Sequence, residues 1–155
     1  MQTYLYDDRN VTWQTIDYIG AQIHVLAVDD ARGIGDVLIR FQPDTPGRLH
    51  RHVCDFSTLV LQGELQFWRP DGSLKEVRPT GSYVPVAANG EPHLEGAGDQ
   101  TAIVLFSFRG TTGDMILYLD QAANVSFRLG FPEFKATLAH QIATGATAKL
   151  GARAA

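Results

Sequence analysis

Apolar residues fall in short runs along most of the chain, and clusters of Gly, Pro, Asn and Asp separate the runs. In Asp36–Gln42 the polar Arg40 and Gln42 alternate with Ile39 and Phe41, the period-two pattern of a strand with one buried face. Enrichment in Val, Ile, Thr, Tyr, Phe and Trp marks further strands. Besides Asp36–Gln42, the pattern predicts strands over Val11–Ile16, Ile23–Val28, Arg48–Cys54, Ser57–Leu61, Glu64–Trp68, Leu74–Val77, Ser82–Val86, Thr101–Phe108 and Met115–Leu119. Turn residues fill the gaps, among them Pro70-Asp71-Gly72, a strong hairpin signal. Many short strands with such joints predict an all-β sandwich or barrel. One helix is predicted, near the C-terminus. Pro132 and Glu133 suit its first turn, and Phe134, Leu138 and Ile142 form a single apolar stripe. Residues 1–145 read as one domain and 146–155 as a disordered tail of small residues.

Composition narrows the class. The 155 residues include 13 Lys and Arg against 17 Asp and Glu, a net charge of −4, with 45% hydrophobic residues. Such a chain builds a core without disulfides, and Cys54, its single cysteine, has no internal partner to pair with. A mildly acidic chain with no basic stripe is a poor nucleic-acid binder. The longest apolar run, Ala102–Phe106, is far short of the roughly 20 residues that span a bilayer. The acidic start MQTYLYDDRN lacks the features of a secretory signal, so the expected location is the cytoplasm, with no membrane partner.

The candidate chemistry lies in the histidines, His24, His50, His52, His93 and His140. His50 and His52 form His-x-His within the predicted strand Arg48–Cys54, and residues two apart on a strand share a face. Two imidazoles side by side are a start toward a first-row metal site. If that strand continues, Cys54 and Phe56 share the same face. Cys54 then reads either as a further ligand or as a small buried hydrophobe.

Around the pair the chain reads Pro46-Gly47-Arg48-Leu49-His50-Arg51-His52, reaching Gly63 in Leu61-Gln62-Gly63-Glu64-Leu65. A second block runs Gly81-Ser82-Tyr83-Val84-Pro85, then Gly90-Glu91-Pro92-His93. These blocks resemble the two motifs of small single-domain cupins of the RmlC-like type. The resemblance covers about Asp36 to Phe108. It implies a β-barrel of the double-stranded β-helix or jelly-roll type, with a short C-terminal helix and a divalent metal on His50, His52 and His93. The glutamate of the family's first motif falls on Phe56, which leaves three neutral imidazoles and no anion. Such a centre keeps the full charge of a divalent ion and favours an anionic chelating substrate. Within the cupins the chain is similar to three-histidine dioxygenases that cleave carbon–carbon bonds, the acetylacetone-cleaving and 2,4'-dihydroxyacetophenone-cleaving groups, and to ChrR-like cupins.

That likeness implies an Fe(II) dioxygenase acting on a small diketone or hydroxyketone, with His50, His52 and His93 at the reacting centre. The alternative is a non-catalytic metal- or ligand-binding cupin, such as a ChrR-like zinc sensor module. A metal-free isomerase using a histidine base is a third reading, and it lacks the carboxylate partner such a base wants. Imidazoles suit Zn, Ni, Mn or Cu as well as Fe. Glu91 and Glu95 flank His93 and read either as carboxylates that orient a ligand imidazole or as a solvated rim. Arg40 and Gln42 line the site or lie on the outer face. Tyr83, Arg109 and Tyr118 are donors to a bound substrate or ordinary packing residues, and His24 and His140 read as structural. A homodimer is expected, with Tyr4-Leu5-Tyr6 capping or exchanging across an open sheet edge.

Overall fold

Strand-forming residues alternate in and out across a wide antiparallel sheet, and a second, interrupted layer faces it. The structure is a computed structural model that describes residues 5–110 and 113–144. The wide sheet holds β1 (Gln14–Ile16), β2 (Ala21–Asp29), β3 (Ile34–Phe41), β10 (Ala102–Arg109), β5 (Asp55–Gln62) and β8 (Tyr83–Val86), in that order. Its register aligns the buried alternation: Val37, Ile39 and Phe41 of β3 stand opposite Phe106, Val104 and Ala102 of β10. All six are buried, and each large one contributes about 1.5–3 kcal/mol through burial.

The facing layer is two three-stranded sheets. One is ordered β12 (Val125–Gly130), β11 (Asp114–Leu119), β4 (His50–His52), and the other β7 (Leu74–Pro79), β6 (Glu64–Trp68), β9 (Leu94–Ala97). A single backbone bridge joins them, His50 N–H to His93 O at 3.0 Å and His93 N–H to His50 O at 2.9 Å. Gly47 N–H to Glu95 O (2.7 Å) and Asp44 N–H to Gly98 O (2.9 Å) continue that seam. Gly47 and Gly96 permit the close approach. A Cβ on Gly47 would meet Glu95 O at 2.9 Å, and one on Gly96 would meet Thr45 O at 2.8 Å. The core fills the space between the layers, from Ile23 and Val25 on one side to Leu65, Phe67, Met115 and Ile116 on the other.

The predicted strands recur with adjustments that matter. The strand expected over Arg48–Cys54 is only His50–His52, because the chain turns at Val53–Cys54 and crosses to the wide sheet. Positions 50, 52, 54 and 56 therefore do not line one continuous strand. Phe56 reaches the interior from the opposite layer. Strands β9 and β12 were not predicted: Leu-Glu-Gly-Ala has little strand propensity of its own, and pairing with β6 creates β9. Residues 5–13 cross the wide sheet's outer face. Tyr6 N–H donates to Gln62 Oε1 (2.9 Å), Asp8 pairs with Arg40 (2.9 Å), and His24 Nδ1 donates to Thr12 O (3.0 Å).

The helix α1 (Phe131–Ala143) opens with Glu133 accepting from Gly130 N–H at 2.8 Å. It buries Phe131, Phe134 and Gln141, with Leu138 partly covered, whereas Ile142 is exposed. Gln141 takes the inward place because β2 bulges near Val25. Its amide accepts from Val25 N–H (2.6 Å) and donates to Val25 O (2.9 Å). The expected tail, 146–155, and Tyr4 of the expected capping segment lie outside the described residues. Among the described residues no helix is long and apolar enough to cross a membrane.

Candidate metal centre

The seam between the two small sheets carries four converging donors. β4 supplies His50 and His52, the bridge residue His93 lies opposite them, and Glu95 follows two positions later on β9. One donor atom from each lies within 4.8 Å of every other. His50 Nε2 is 3.2 Å from His52 Nε2 and 3.3 Å from Glu95 Oε1. Glu95 Oε2 stands 4.0 Å from His52 Nε2 and 3.7 Å from His93 Nε2. The three-histidine set without an anion, expected from Phe56, is thus corrected: Glu95 supplies the carboxylate from the far side of the seam.

Local bonding presents these atoms. A carbonyl oxygen only accepts, so His50 Nδ1–H donates to Arg48 O (2.8 Å) and His93 Nδ1–H donates to Glu91 O (3.1 Å). Each ring then keeps its Nε2 lone pair for the centre. His52 is held differently. Its Nδ1 has no partner, and its ring stacks on Phe56 at 3.9 Å and 19°, with Phe108 and Phe106 nearly parallel beyond.

Electrostatics agree with a cation site. Burial opposes a charge on His50, but the Glu95 carboxylate outweighs it and holds His50 above its ordinary range. Burial, reinforced by His50, pushes His52 well below. Burial alone would raise Glu95, yet His50 and His93 hold it well below the carboxylate range. His93 Nε2 and Glu95 Oε2 are buried without hydrogen-bond partners. Two ligands bonded at about 2.1 Å to one ion lie at most about 4.2 Å apart, and the four measured separations fall inside that limit. Three imidazoles and a carboxylate are a donor set suited to Zn, Fe, Ni, Mn or Cu. The residues fit a divalent metal.

A cavity of about 150 Å³ opens against His52 and His93. Phe56, Phe67, Val86 and Ala87 form apolar wall, and Lys75, Glu76, Arg78 and Glu91 add charge. His50 and Glu95 are not in its lining; they border a small space with Ile39, Phe41 and Tyr118. Burial raises the Tyr118 hydroxyl far above its usual range, with Glu95 adding to the effect.

The other candidates separate cleanly. Arg40 is on the outer face, bonded to Asp8 and Gln22 and stacked over Trp13, and Gln42 is exposed near Gln22. Cys54 is buried outside the donor cluster, its thiol pushed up to about 11 chiefly by burial. Tyr83 is exposed, Arg109 pairs with Asp36, and Glu91 is an exposed residue at the cavity. His24 lies under Thr12 and His140 is exposed on α1. Glu95 was weighed only as an orienting carboxylate or a solvated rim. Its place two residues beyond the third histidine was the signal for a larger role.

Two β-layers with three histidines and a carboxylate at the seam define a cupin. Residues 1–113 match the ChrR Cupin-like domain, and the chain belongs to that family. Among solved structures, an RmlC-like cupin protein from Ralstonia eutropha JMP134 is similar at 17% identity and a TM-score of 0.70, covering 92% of this chain and 89% of that one. An acetylacetone dioxygenase from Acinetobacter johnsonii is similar at 13% identity and a TM-score of 0.68, covering 90% and 92%. A polyketide cyclase from Streptomyces resistomycificus has 21% identity and a TM-score of 0.53, covering 70% and 80%. No curated protein matches the sequence.

Proposed function

We propose that the chain is an Fe(II)-dependent dioxygenase cleaving a carbon–carbon bond in a small diketone or hydroxyketone. The observation that carries this reading is the cavity built against two of the four ligand residues, His52 and His93. A cavity near 150 Å³ that is open to solvent holds a portion of a ligand about the size of benzene and lets the rest of a small ketone extend outward. Fe(II) bound there would supply Lewis acidity and redox reactivity toward dioxygen. His50, His52, His93 and Glu95 would hold it. Glu95 cancels one of its two charges, so a monoanionic chelator such as an enolate brings the centre to neutrality. Phe56, Phe67 and Val86 exclude water and hold the apolar flank of that substrate. The similarity to an acetylacetone dioxygenase supports the choice of substrate class.

The test is anaerobic loading with Fe(II), then oxygen uptake with acetylacetone and 2-hydroxyacetophenones. Oxygen consumption matched to ketone loss, abolished by His52→Ala, is the expected result. The second reading, a non-catalytic zinc-binding cupin, is favoured by the four converging donors, enough to close a tetrahedral zinc site without an exogenous ligand. Co(II)-loaded protein separates the two. A visible spectrum that shifts with acetylacetone requires an open position, and an unchanged spectrum with no oxygen uptake selects the zinc reading.

A further inference from the structure

One wall of the cavity carries chemistry that the four donors do not use. Arg78 on β7 lines it and is only 6% exposed. Its guanidinium lies over the Phe67 ring, 4.4 Å from the centroid. Nε and Nη2 donate to Glu76 Oε1 and Oε2 at 2.7 and 3.0 Å, and Nη1 donates to Thr58 Oγ1 at 2.8 Å. Thr58 is fully buried on β5, so this bond ties the β7 wall to the wide sheet.

A guanidinium has five N–H groups, and these contacts use three. Two remain on a side chain that lines the cavity. Burying a guanidinium is costly, and an apolar residue would complete this wall beside Phe67 without that cost. What the arrangement provides instead is a pair of donors held in advance by a stack, an ion pair and a hydroxyl. Donors fixed before binding lose little entropy when an acceptor arrives.

The sign of that acceptor follows from the lining. Arg78 and Lys75 are balanced by Glu76 and Glu91, so the wall has direction but no net charge. It suits a neutral oxygen better than a second carboxylate. The cavity's size keeps the ligand a small molecule, its oxygen-bearing part inside.

Resting on the dioxygenase reading above, we propose that Arg78 is the specificity-determining residue, and that the substrate is a small chelating ketone carrying a third, neutral oxygen that accepts from Arg78. The metal-facing oxygens lie toward His52 and His93, and the third oxygen lies toward β7.

Zn(II)-loaded protein tests this without turnover, using calorimetry with two probes of equal chain length. Methyl 2,4-dioxopentanoate carries the third oxygen, and heptane-2,4-dione does not. The parent should bind the ester at least about tenfold more tightly, as a hydrogen bond to a charged donor implies. In Arg78→Met that ratio should fall to near one-third or less of its parent value, with zinc content equal to the parent's. The change in ratio cancels the intrinsic acidity difference between the probes. Arg78→Lys keeps the charge and loses the fork; it should lower the ratio severalfold, and it carries the test where the methionine variant does not fold. An unchanged ratio in a zinc-loaded Arg78 variant, or equal binding of both probes by the parent, overturns the role of Arg78 and leaves the dioxygenase reading standing. Failure of both probes to bind the zinc-loaded parent, repeated with anaerobic Fe(II)-loaded parent, removes the open site, and both proposals fall together.

Discussion

The two layers of this molecule are built to different standards. The wide sheet is laddered across all six strands, with eight consecutive Cα partners between β3 and β10 and single register shifts in the β2–β3 and β10–β5 pairs. The facing layer breaks in the middle, where one bridge and two glycine-permitted contacts replace a ladder. All four donors sit at that break. His50 and His52 are two apart, as are His93 and Glu95, so each pair shares a face. The bridge between His50 and His93 brings the two pairs to one point. The continuous layer supplies stability, and the broken layer supplies a centre.

Substitutions on each side sharpen this contrast. Ile23→Ala, fully buried in the wide sheet, should cost about 2–5 kcal/mol of unfolding free energy in urea while leaving metal affinity within twofold. Proportionate loss of metal affinity would mean that the layers are not separable. Glu95→Gln should do the reverse. It removes the only anion of the cluster, so metal affinity in a chelator competition should fall roughly a hundredfold, and His24→Ala and His140→Ala should leave it intact.

Gly96→Ala strikes the seam itself. Its Cβ meets backbone, so the variant should lose about 1–3 kcal/mol of stability together with metal affinity. Gly72→Ala, at φ 85° in an open turn, should cost about 1 kcal/mol and no metal. Equal metal retention in the two glycine variants would show that the close approach does not set the centre. A smaller effect is expected of Phe56→Leu. Losing the stack on His52, the one ligand ring without an Nδ1 partner, should weaken metal binding about threefold to tenfold, read by the same competition.

A pH dependence is expected at Cys54. An unfolded thiol ionises near its ordinary value of 9, whereas the buried one does so at about 11. Between those values the unfolded chain sheds a proton that the folded chain retains, so stability falls as pH rises through that window. Denaturation curves taken from pH 8.5 to 11 should show this loss in the parent and less of it in Cys54→Ala, with metal content equal in both.

Much of the fold was legible because alternation is a local signal. Sequence neighbours alone put Ile39 and Phe41 on one face and Arg40 and Gln42 on the other, though not which face is inward. His50, His52 and His93 were legible through the resemblance to cupin motifs. The misreadings all lie where distant segments meet. Phe56 looked like the site of a missing carboxylate only while β4 was assumed to continue, and the turn at Val53–Cys54 ended that assumption. Ile142 belonged to the apolar stripe of α1, but the bulge at Val25 needed an amide, and Gln141 took the buried place.

By itself, then, the sequence determined the β-rich class, the C-terminal helix and the trio of histidines, because periodicity and motif spacing are carried by residues close along the chain. Only the tertiary structure decided that Glu95 completes the centre, that Arg40 lies outside, and that Arg78 lines the cavity. Those assignments depend on which segments pair across the seam. That pairing is set by long-range backbone hydrogen bonds and by the room left at Gly47 and Gly96, neither of which is written in any single stretch of sequence.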